Sequence, residues 1–169
     1  MMKKYLPVAI FLMAVLSSCI KIQPGYTDIT ETDDSGKVIG QIDKTDWTED
    51  KDWNQSEEFL FDQVGEPIDS NFRKSYVTVE PSYPNPCSDS FHFRVITAER
   101  CVFNYVLTDD KLKVKIPLGT AWLNPGYNKF NFSTNGLTKG KNYRLYYIFS
   151  YYQNKAWYKG HGDIAVRNN

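Results

Sequence analysis

Apolar and polar residues alternate in short runs through the second half of this chain. In the run Lys111–Ile116, three apolar residues fall on one side and three lysines on the other, as in a half-buried strand. Turn-forming Pro, Gly, Asn and Asp residues separate this run from similar ones, at a spacing typical of β-sandwiches. The pattern predicts an all-β fold with seven strands, near 76–80, 91–95, 101–108, 111–116, 129–133, 142–152 and 156–166.

The first half of the chain lacks this pattern and has a different charge. From Asp28 to Glu66 there are thirteen acidic and three basic residues, whereas from Pro67 to Asn169 there are seven acidic and fourteen basic residues. A change of this size within one chain indicates a linker followed by a folded unit. We therefore expect a largely irregular acidic stalk over residues 19–70 and a β-sandwich over residues 71–169.

Two tryptophans interrupt the acidic half. Trp47 and Trp53, followed by Leu60 and Phe61, carry large apolar areas that usually contact another surface. Two interpretations remain open. The segment docks on the basic domain through these four residues, or residues 55–62 form a short amphipathic helix that has no function.

A short cluster of Asp, Ser and Gly at residues 33–36 precedes a β-branched run. Its glycine can be aligned with the sixth position of a calcium-binding EF-hand loop. That alignment places Ile42 where a bidentate Glu is required, so a plain turn is the favoured interpretation.

The first residues have the order of a secretory signal. Lys3 and Lys4 precede the apolar run Leu6–Leu16, and small residues follow it. The run is shorter than the roughly 20 apolar residues that cross a bilayer, so we do not expect a membrane-spanning helix here.

The sequence Leu16-Ser17-Ser18-Cys19 resembles the lipobox of bacterial lipoproteins. The resemblance implies that residues 1–18 are a signal peptide, that a diacylglycerol is attached to the sulfur of Cys19, and that acyl chains such as palmitate hold the protein on a membrane. Ile20, rather than Asp, follows the cysteine, which by the same resemblance favours the outer membrane. An ordinary secretory signal that ends beside a cysteine is the alternative.

The segment Leu137–Tyr143 resembles the tyrosine corner of immunoglobulin-like and fibronectin type III domains. In those domains a Tyr at the start of the sixth strand hydrogen-bonds backward to the main chain. The resemblance implies this structural role for Tyr143. Counting inward from it then places Leu145, Tyr147 and Phe149 in the core. The alternative is a Tyr at the start of a strand without that bond.

A second resemblance covers Val77–Val166, and is carried by the Pro84-Asn85-Pro86 turn and the Gly140–Leu145 stretch. This region is similar to the C-terminal sorting domain of type IX secretion cargo, and to the immunoglobulin-like domain of the flagellar hook-capping protein. The resemblance implies the fold. A sorting role is the minority interpretation, because this chain has a lipobox and lacks a terminal lysine.

The inward residues of the sixth strand leave an aromatic outer face. Tyr146, Ile148 and Tyr152 would point outward, with Trp157 and Tyr158 on the next strand beside them. Exposed aromatic patches often mark a binding surface, here for a protein or a glycan. The competing interpretation, which we favour, is that Trp47 and Trp53 cover this patch and make it an internal seam.

Residues for catalysis or metal binding are few. The chain has two histidines and none of the common zinc, nucleophile-elbow or phosphate-loop motifs. His161, between two glycines and near Asp163, is interpreted as part of a solvated bulge in the last strand. We therefore expect no enzymatic activity, no metal and no cofactor.

Cys87 and Cys101 remain once Cys19 is assigned to the lipid. An exported protein can form a disulfide between them, but only if their Cα atoms lie within about 7 Å of each other. A disulfide and two separate buried thiols both remain open.

These observations favour a lipid-anchored protein of the cell envelope that presents an immunoglobulin-like module for binding or assembly. Its expected partners are the membrane and a protein or glycan, and not a nucleic acid. The alternatives are a structural accessory subunit of a secretion or surface-motility apparatus, and a glycan-binding module.

Overall fold

The computed structural model describes residues 28–64, 76–150 and 156–168. This part of the chain is mostly strand and forms two antiparallel sheets, which confirms the all-β class. The predicted signal peptide, Cys19 and Tyr152 lie outside the described residues. The elements in chain order are β1 (Thr48–Glu49), α1 (Gln55–Glu58), a 3₁₀ helix (Phe59–Val64), β2 (Val77–Tyr83), β3 (Ser90–Thr97), β4 (Cys101–Thr108), β5 (Val114–Leu123), β6 (Gly126–Ser133), β7 (Lys141–Ser150) and β8 (Ala156–Val166).

The larger sheet has five strands in the order β1-β8-β7-β4-β5, and the smaller has three in the order β2-β3-β6. Side chains alternate along β3, where Phe91, Phe93 and Val95 are buried while the residues between them are half-buried. Successive residues of a strand point to opposite faces, so the inner faces of the two sheets meet in one aromatic core. In this core the ring of Phe93 stacks on that of Phe103 from the facing sheet, with centroids 5.1 Å apart.

Strand β7 departs from this alternation. Every residue from Tyr143 to Ser150 is buried, including those that point away from the core. A strand that is covered on both faces carries a nearly continuous apolar run rather than an alternating one. Something other than the smaller sheet therefore covers the outer face of β7.

The strand predicted over residues 111–116 is shifted along the chain: β5 begins at Val114 and ends at Leu123. The side chain of Asp109 accepts hydrogen bonds from the N–H groups of Lys111 and Lys113. Leu112 is left-handed, with φ of 57°, and Val114 is 45 % exposed at the start of β5. The turn made by the Asp side chain overrides the alternating pattern. The predicted inward face was therefore wrong for Val114, whereas Leu112 lies in the turn, outside the strand, and is half-buried.

The predicted tyrosine corner is confirmed in its hydrogen bonding. The hydroxyl of Tyr143 accepts a hydrogen bond from the N–H of Thr138 at 2.7 Å and donates one to the carbonyl oxygen of Thr138 at 3.1 Å. The side chain is buried in the main core. This bond fixes the loop that leads from β6 into β7.

Among the residues that the structure describes, none of the helices has the length and apolar character required to cross a membrane.

We expect Tyr143→Phe to lower the free energy of unfolding by about 1 kcal/mol, because the partly buried hydrogen bonds of its hydroxyl with the main chain of Thr138 are lost. Urea denaturation followed by circular dichroism measures this loss. The matched control is Tyr127→Phe, at a tyrosine that is 58 % exposed on β6, and it should leave the midpoint unchanged. Equal midpoints for both variants would contradict a stabilising corner.

Candidate functional site

Residues 28–64, here called the acidic segment, are part of the folded body. Strand β1 pairs with β8 in antiparallel register, Thr48 opposite His161 and Glu49 opposite Gly160. The N–H of Trp47 donates to the carbonyl oxygen of His161 at 2.7 Å, which extends the ladder. The segment is largely irregular, as expected, but it packs on the body and adds a strand to the larger sheet instead of forming a separate stalk.

Trp47 enters the core beside two glycines of β8. Its ring is 4 % exposed and stacks on Tyr147, with centroids 6.5 Å apart and an interplanar angle of 7°. A Cβ atom added to Gly162 would lie 2.3 Å from the indole, and one added to Gly160 would lie 2.4 Å from the carbonyl oxygen of Thr48. Because the two glycines lack side chains, the Trp47 indole and the Thr48 carbonyl group have room to pack against β8.

This arrangement corrects the interpretation of His161 as part of a solvated bulge. Strand β8 runs through the Gly-His-Gly sequence with regular pairing to β7, and His161 is buried opposite Tyr146. The Nδ1 atom of His161 lies 2.7 Å from the Oδ2 atom of Asp50, which also accepts a hydrogen bond from the Trp53 indole at 2.6 Å. The histidine joins β8 to the acidic segment.

Trp53 and Phe61 cover the outer face of β7. The Trp53 ring meets the Tyr146 ring edge-on, with centroids 5.5 Å apart, and stacks on Phe61. Together with Ile148 and neighbouring apolar residues they form a second buried cluster. Docking, one of the two interpretations left open, is therefore correct for Trp47, Trp53 and Phe61, while Leu60 is half-buried.

The short helix predicted in this region also exists, as α1 and the 3₁₀ helix. The side chain of Asn54 caps it by accepting hydrogen bonds from the N–H groups of Ser56 and Glu57. The Glu57 carboxylate accepts the N–H of Asn54 in return, and its other oxygen accepts the Tyr146 hydroxyl at 2.8 Å. A helix of four residues is not stable alone in water, so its contact with β7 stabilises it.

The predicted aromatic surface is covered. Tyr146, Ile148 and Trp157 are 0 %, 1 % and 2 % exposed, and Tyr158 is half-buried. Tyr152 lies outside the described residues. An exposed binding patch is therefore wrong for the first three of these residues. The favoured alternative, an internal seam, is correct for Trp53, which covers Tyr146, but wrong for Trp47, which packs on the opposite face of β7 in the main core. We call the contact of the acidic segment with β7 and β8 the seam.

Three carboxyl groups meet at one end of the seam. Asp43, Asp46 and Asp163 each place an oxygen within 4.8 Å of the others. The Asp163 carboxylate forms a bidentate pair with Arg144, at 2.6 and 2.8 Å. The Asp46 carboxyl accepts hydrogen bonds from the N–H of Asp163 at 3.0 Å and from the N–H of Thr30 at 3.2 Å.

Burial and neighbouring charges shift the pKa values of this cluster. Burial first, and then the charges of Asp163 and Asp43, raise the pKa of Asp46 to about 8. Burial also raises the pKa of Asp163, against the lowering effect of Arg144. For Arg144, burial acts to lower the pKa, but its bonds and charge interaction with Asp163 outweigh burial and raise it. The cluster can therefore hold a proton near neutral pH.

Three carboxyl groups at this spacing are also a donor set that a hard cation can use. In this cluster both oxygens of Asp163 face a guanidinium, and both oxygens of Asp46 face main-chain N–H groups. Those partners already supply positive charge to the oxygens. The donor set therefore fits a structural hydrogen-bonded cluster better than a cation site.

Asn85 is a residue whose role the sequence did not reveal. It is fully buried between two prolines, and its amide nitrogen donates to the carbonyl oxygens of Thr30 and Asp163 at 2.9 and 2.8 Å. Its amide oxygen accepts the N–H of Ala165 at 2.9 Å. One side chain therefore joins the acidic segment to β8. The Pro-Asn-Pro sequence indicated a turn, but gave no sign of these partners.

Cys87 and Cys101 are free and buried, so the disulfide that was left open does not form. Cys87 pairs with Val166 at one end of β8, whereas Cys101 begins β4 near the other end of β7. The length of β7 separates these positions by about 30 Å, given a rise of about 3.3 Å per residue. Burial raises the pKa of Cys87 to about 11 and that of Cys101 to about 12, which keeps both thiols protonated and unreactive.

An open groove of about 370 Å³ lies between the 3₁₀ helix and β5. Its lining is mostly apolar and carries no histidine or cysteine. Catalytic sites usually need several polar groups that converge on one point. The lining residues are Phe59, Leu60, Asp62, Gln63, Val106, Val114, Pro117 and Leu118.

Comparison with known proteins gives no family for this chain: no family model matches it, and no curated protein matches its sequence. Its function must therefore be inferred from the seam and from the residues that the sequence analysis identified.

We expect Gly162→Ala to lower the free energy of unfolding by about 2 kcal/mol, because the new methyl group would overlap the indole of Trp47. Urea denaturation measures this loss. The control is the same change in a Trp47→Ala background, where the methyl group has room and should cost much less. An equal loss in both backgrounds would show that Gly162 is required for another reason.

Proposed function

We propose that this protein is a lipid-anchored component of the bacterial cell envelope, and that its body is an immunoglobulin-like module for binding or assembly. The anchor is the diacylglycerol on Cys19, and the membrane is the outer membrane. The body has no catalytic role in this proposal.

The order of the strands supports an immunoglobulin-like body. Strands β2, β3 and β6 share one sheet, and β4, β7 and β8 share the other. This corresponds to strands A, B and E packed against C, F and G of the immunoglobulin arrangement, with β5 in the position of an additional strand beside C. Tyr143 then lies at the start of the strand equivalent to F, where the tyrosine corner occurs.

The observation that carries the proposal is the closed seam. A glycan-binding module would use exposed aromatic side chains as a flat platform. Tyr146 and Trp157, the best candidates for such a platform, are instead buried, Tyr146 beneath Trp53 of the acidic segment and Trp157 in the main core. Their burial favours assembly or protein binding by the finished body over glycan binding at this face.

The packing of residues 28–64 also limits how far the body can stand from its anchor. Nine peptide units join Cys19 to Asp28, and a fully extended chain covers at most about 3.6 Å per residue, or about 32 Å in all. A lipid on Cys19 would therefore hold the body close to the membrane surface rather than on a long stalk.

We expect Cys19→Ala to abolish both lipidation and membrane retention, because the sulfur that carries the diacylglycerol is lost. Cells grown with an alkyne fatty acid show the lipid by click chemistry, and sedimentation after a high-salt wash shows retention. The matched control is Cys87→Ala, which removes a buried thiol and should remain labelled and sedimenting. Labelling of the Cys19→Ala variant, or its persistence in washed membranes, would contradict the proposed anchor.

A further inference from the structure

We propose that Asp46 is a proton-dependent latch: its protonated carboxyl group holds residues 43–48 on β8, and loss of the proton releases them. The inference concerns how the seam is held and does not depend on the lipid anchor or on the function proposed above.

The position of Asp46 suits a latch. Its side chain is buried, and its two oxygens accept the N–H groups of Thr30 and Asp163, which lie on opposite sides of it. The next residue is Trp47, whose ring fills the space above Gly162, and β1 follows directly. A change at Asp46 therefore acts on the point where the acidic segment enters the sandwich.

The charges that face Asp46 explain why a proton matters there. Asp43 faces it from the same segment, Asp163 from β8 and Tyr147 from β7, while Arg144 and His161 act on Asp163. Arg144 is already engaged by Asp163, His161 is paired with Asp50, and burial raises the pKa of Tyr147 well above its usual value, so this phenol stays neutral.

When Asp46 is ionised, three carboxylates face a single guanidinium in a largely buried place. Burying an unpaired charge is costly, so ionisation would favour movement of Asp46 toward water. When Asp46 is protonated, its hydroxyl can donate to a neighbouring carboxylate, and the cluster carries one negative charge fewer.

The direction of the pH dependence follows from the raised pKa of Asp46, about 8 in the folded protein against an ordinary 3.8. Between these values the folded state binds a proton that the unfolded state lacks, so the contribution of Asp46 to stability declines as pH rises. It is lost as pH passes through about 8. The second cluster, around Trp53 and Phe61, is held by apolar and aromatic contacts that do not depend on the proton of Asp46, so we expect release to remain local to residues 43–48.

The test is amide hydrogen exchange of the full-length chain, measured at pH 7 and pH 9 and corrected for the intrinsic effect of pH. In the wild type we expect the protection of the Thr30, Trp47 and Asp163 amides to fall about tenfold between these values, since each pH unit above the pKa corresponds to a factor of ten. Amides in the middle of β3 should not change. Asp46→Asn should remove the pH dependence, and the control Asp43→Asn should keep it with a lower midpoint, because the charge of Asp43 raises the pKa of Asp46.

Equal corrected protection at pH 7 and pH 9 in the wild type would overturn the proposal, and so would an unchanged loss of protection in Asp46→Asn. If Asp46→Asn fails to fold, carbon-13 NMR of the wild-type carboxyl groups decides the matter. A titration midpoint near 8 for Asp46 supports the latch, and a midpoint near 4 refutes it.

Discussion

The insertion of Trp47 between the sheets is the contact around which the rest of the seam is arranged. Gly160 and Gly162 of β8 have no side chains. The indole of Trp47 can therefore pack directly on the backbone at Gly162, and the carbonyl oxygen of Thr48 can pack on the backbone at Gly160. Once Trp47 is in place, Thr48 and Glu49 are in register with β8, and Asp46 is in reach of the N–H of Asp163. The later residues of the segment can then cross the outer face of β7 and bury Tyr146 and Ile148.

The opposite net charges of the two halves of the chain stabilise the seam less than the composition implies. Lys159 and Glu58 form an ion pair across the seam, but their atoms are 3.9 Å apart and Glu58 is more than half exposed. Such pairs stabilise proteins by at most about 1 kcal/mol. Burial of aromatic rings and hydrogen bonds to buried carboxyl groups hold the segment instead. The acidic character of the segment matters mainly where individual side chains, such as Asp46, Asp50 and Glu57, meet particular donors.

The sequence was most informative where a local pattern has one structural meaning. The alternation of Phe91, Phe93 and Val95 predicted β3 and its inward face, and the spacing before Tyr143 predicted a backward hydrogen bond that is present. It was misleading at Leu112, where a turn of a few residues imitates an alternating strand.

The candidate site was mostly hidden because its partners are distant in the sequence. The need for a glycine at position 162 is explained only by its contact with Trp47. The ion pair of Arg144 with Asp163 depends on the register between β7 and β8. The sequence did indicate that Trp47 and Trp53 needed a surface, and that the outer face of β7 was too apolar to be exposed. It could not place Asp46 or Asn85, since polar residues in loops have no periodicity that marks them as buried.

The hydrogen bond between Asp46 and the N–H of Asp163 joins residues 117 positions apart. The acidic segment is synthesised before β8, the strand that receives it. The acidic segment therefore cannot complete its packing until β8 has been synthesised. A nascent or truncated chain that lacks β8 would leave Trp47 without the strand against which it packs, and its indole would stay exposed to water until that strand is made.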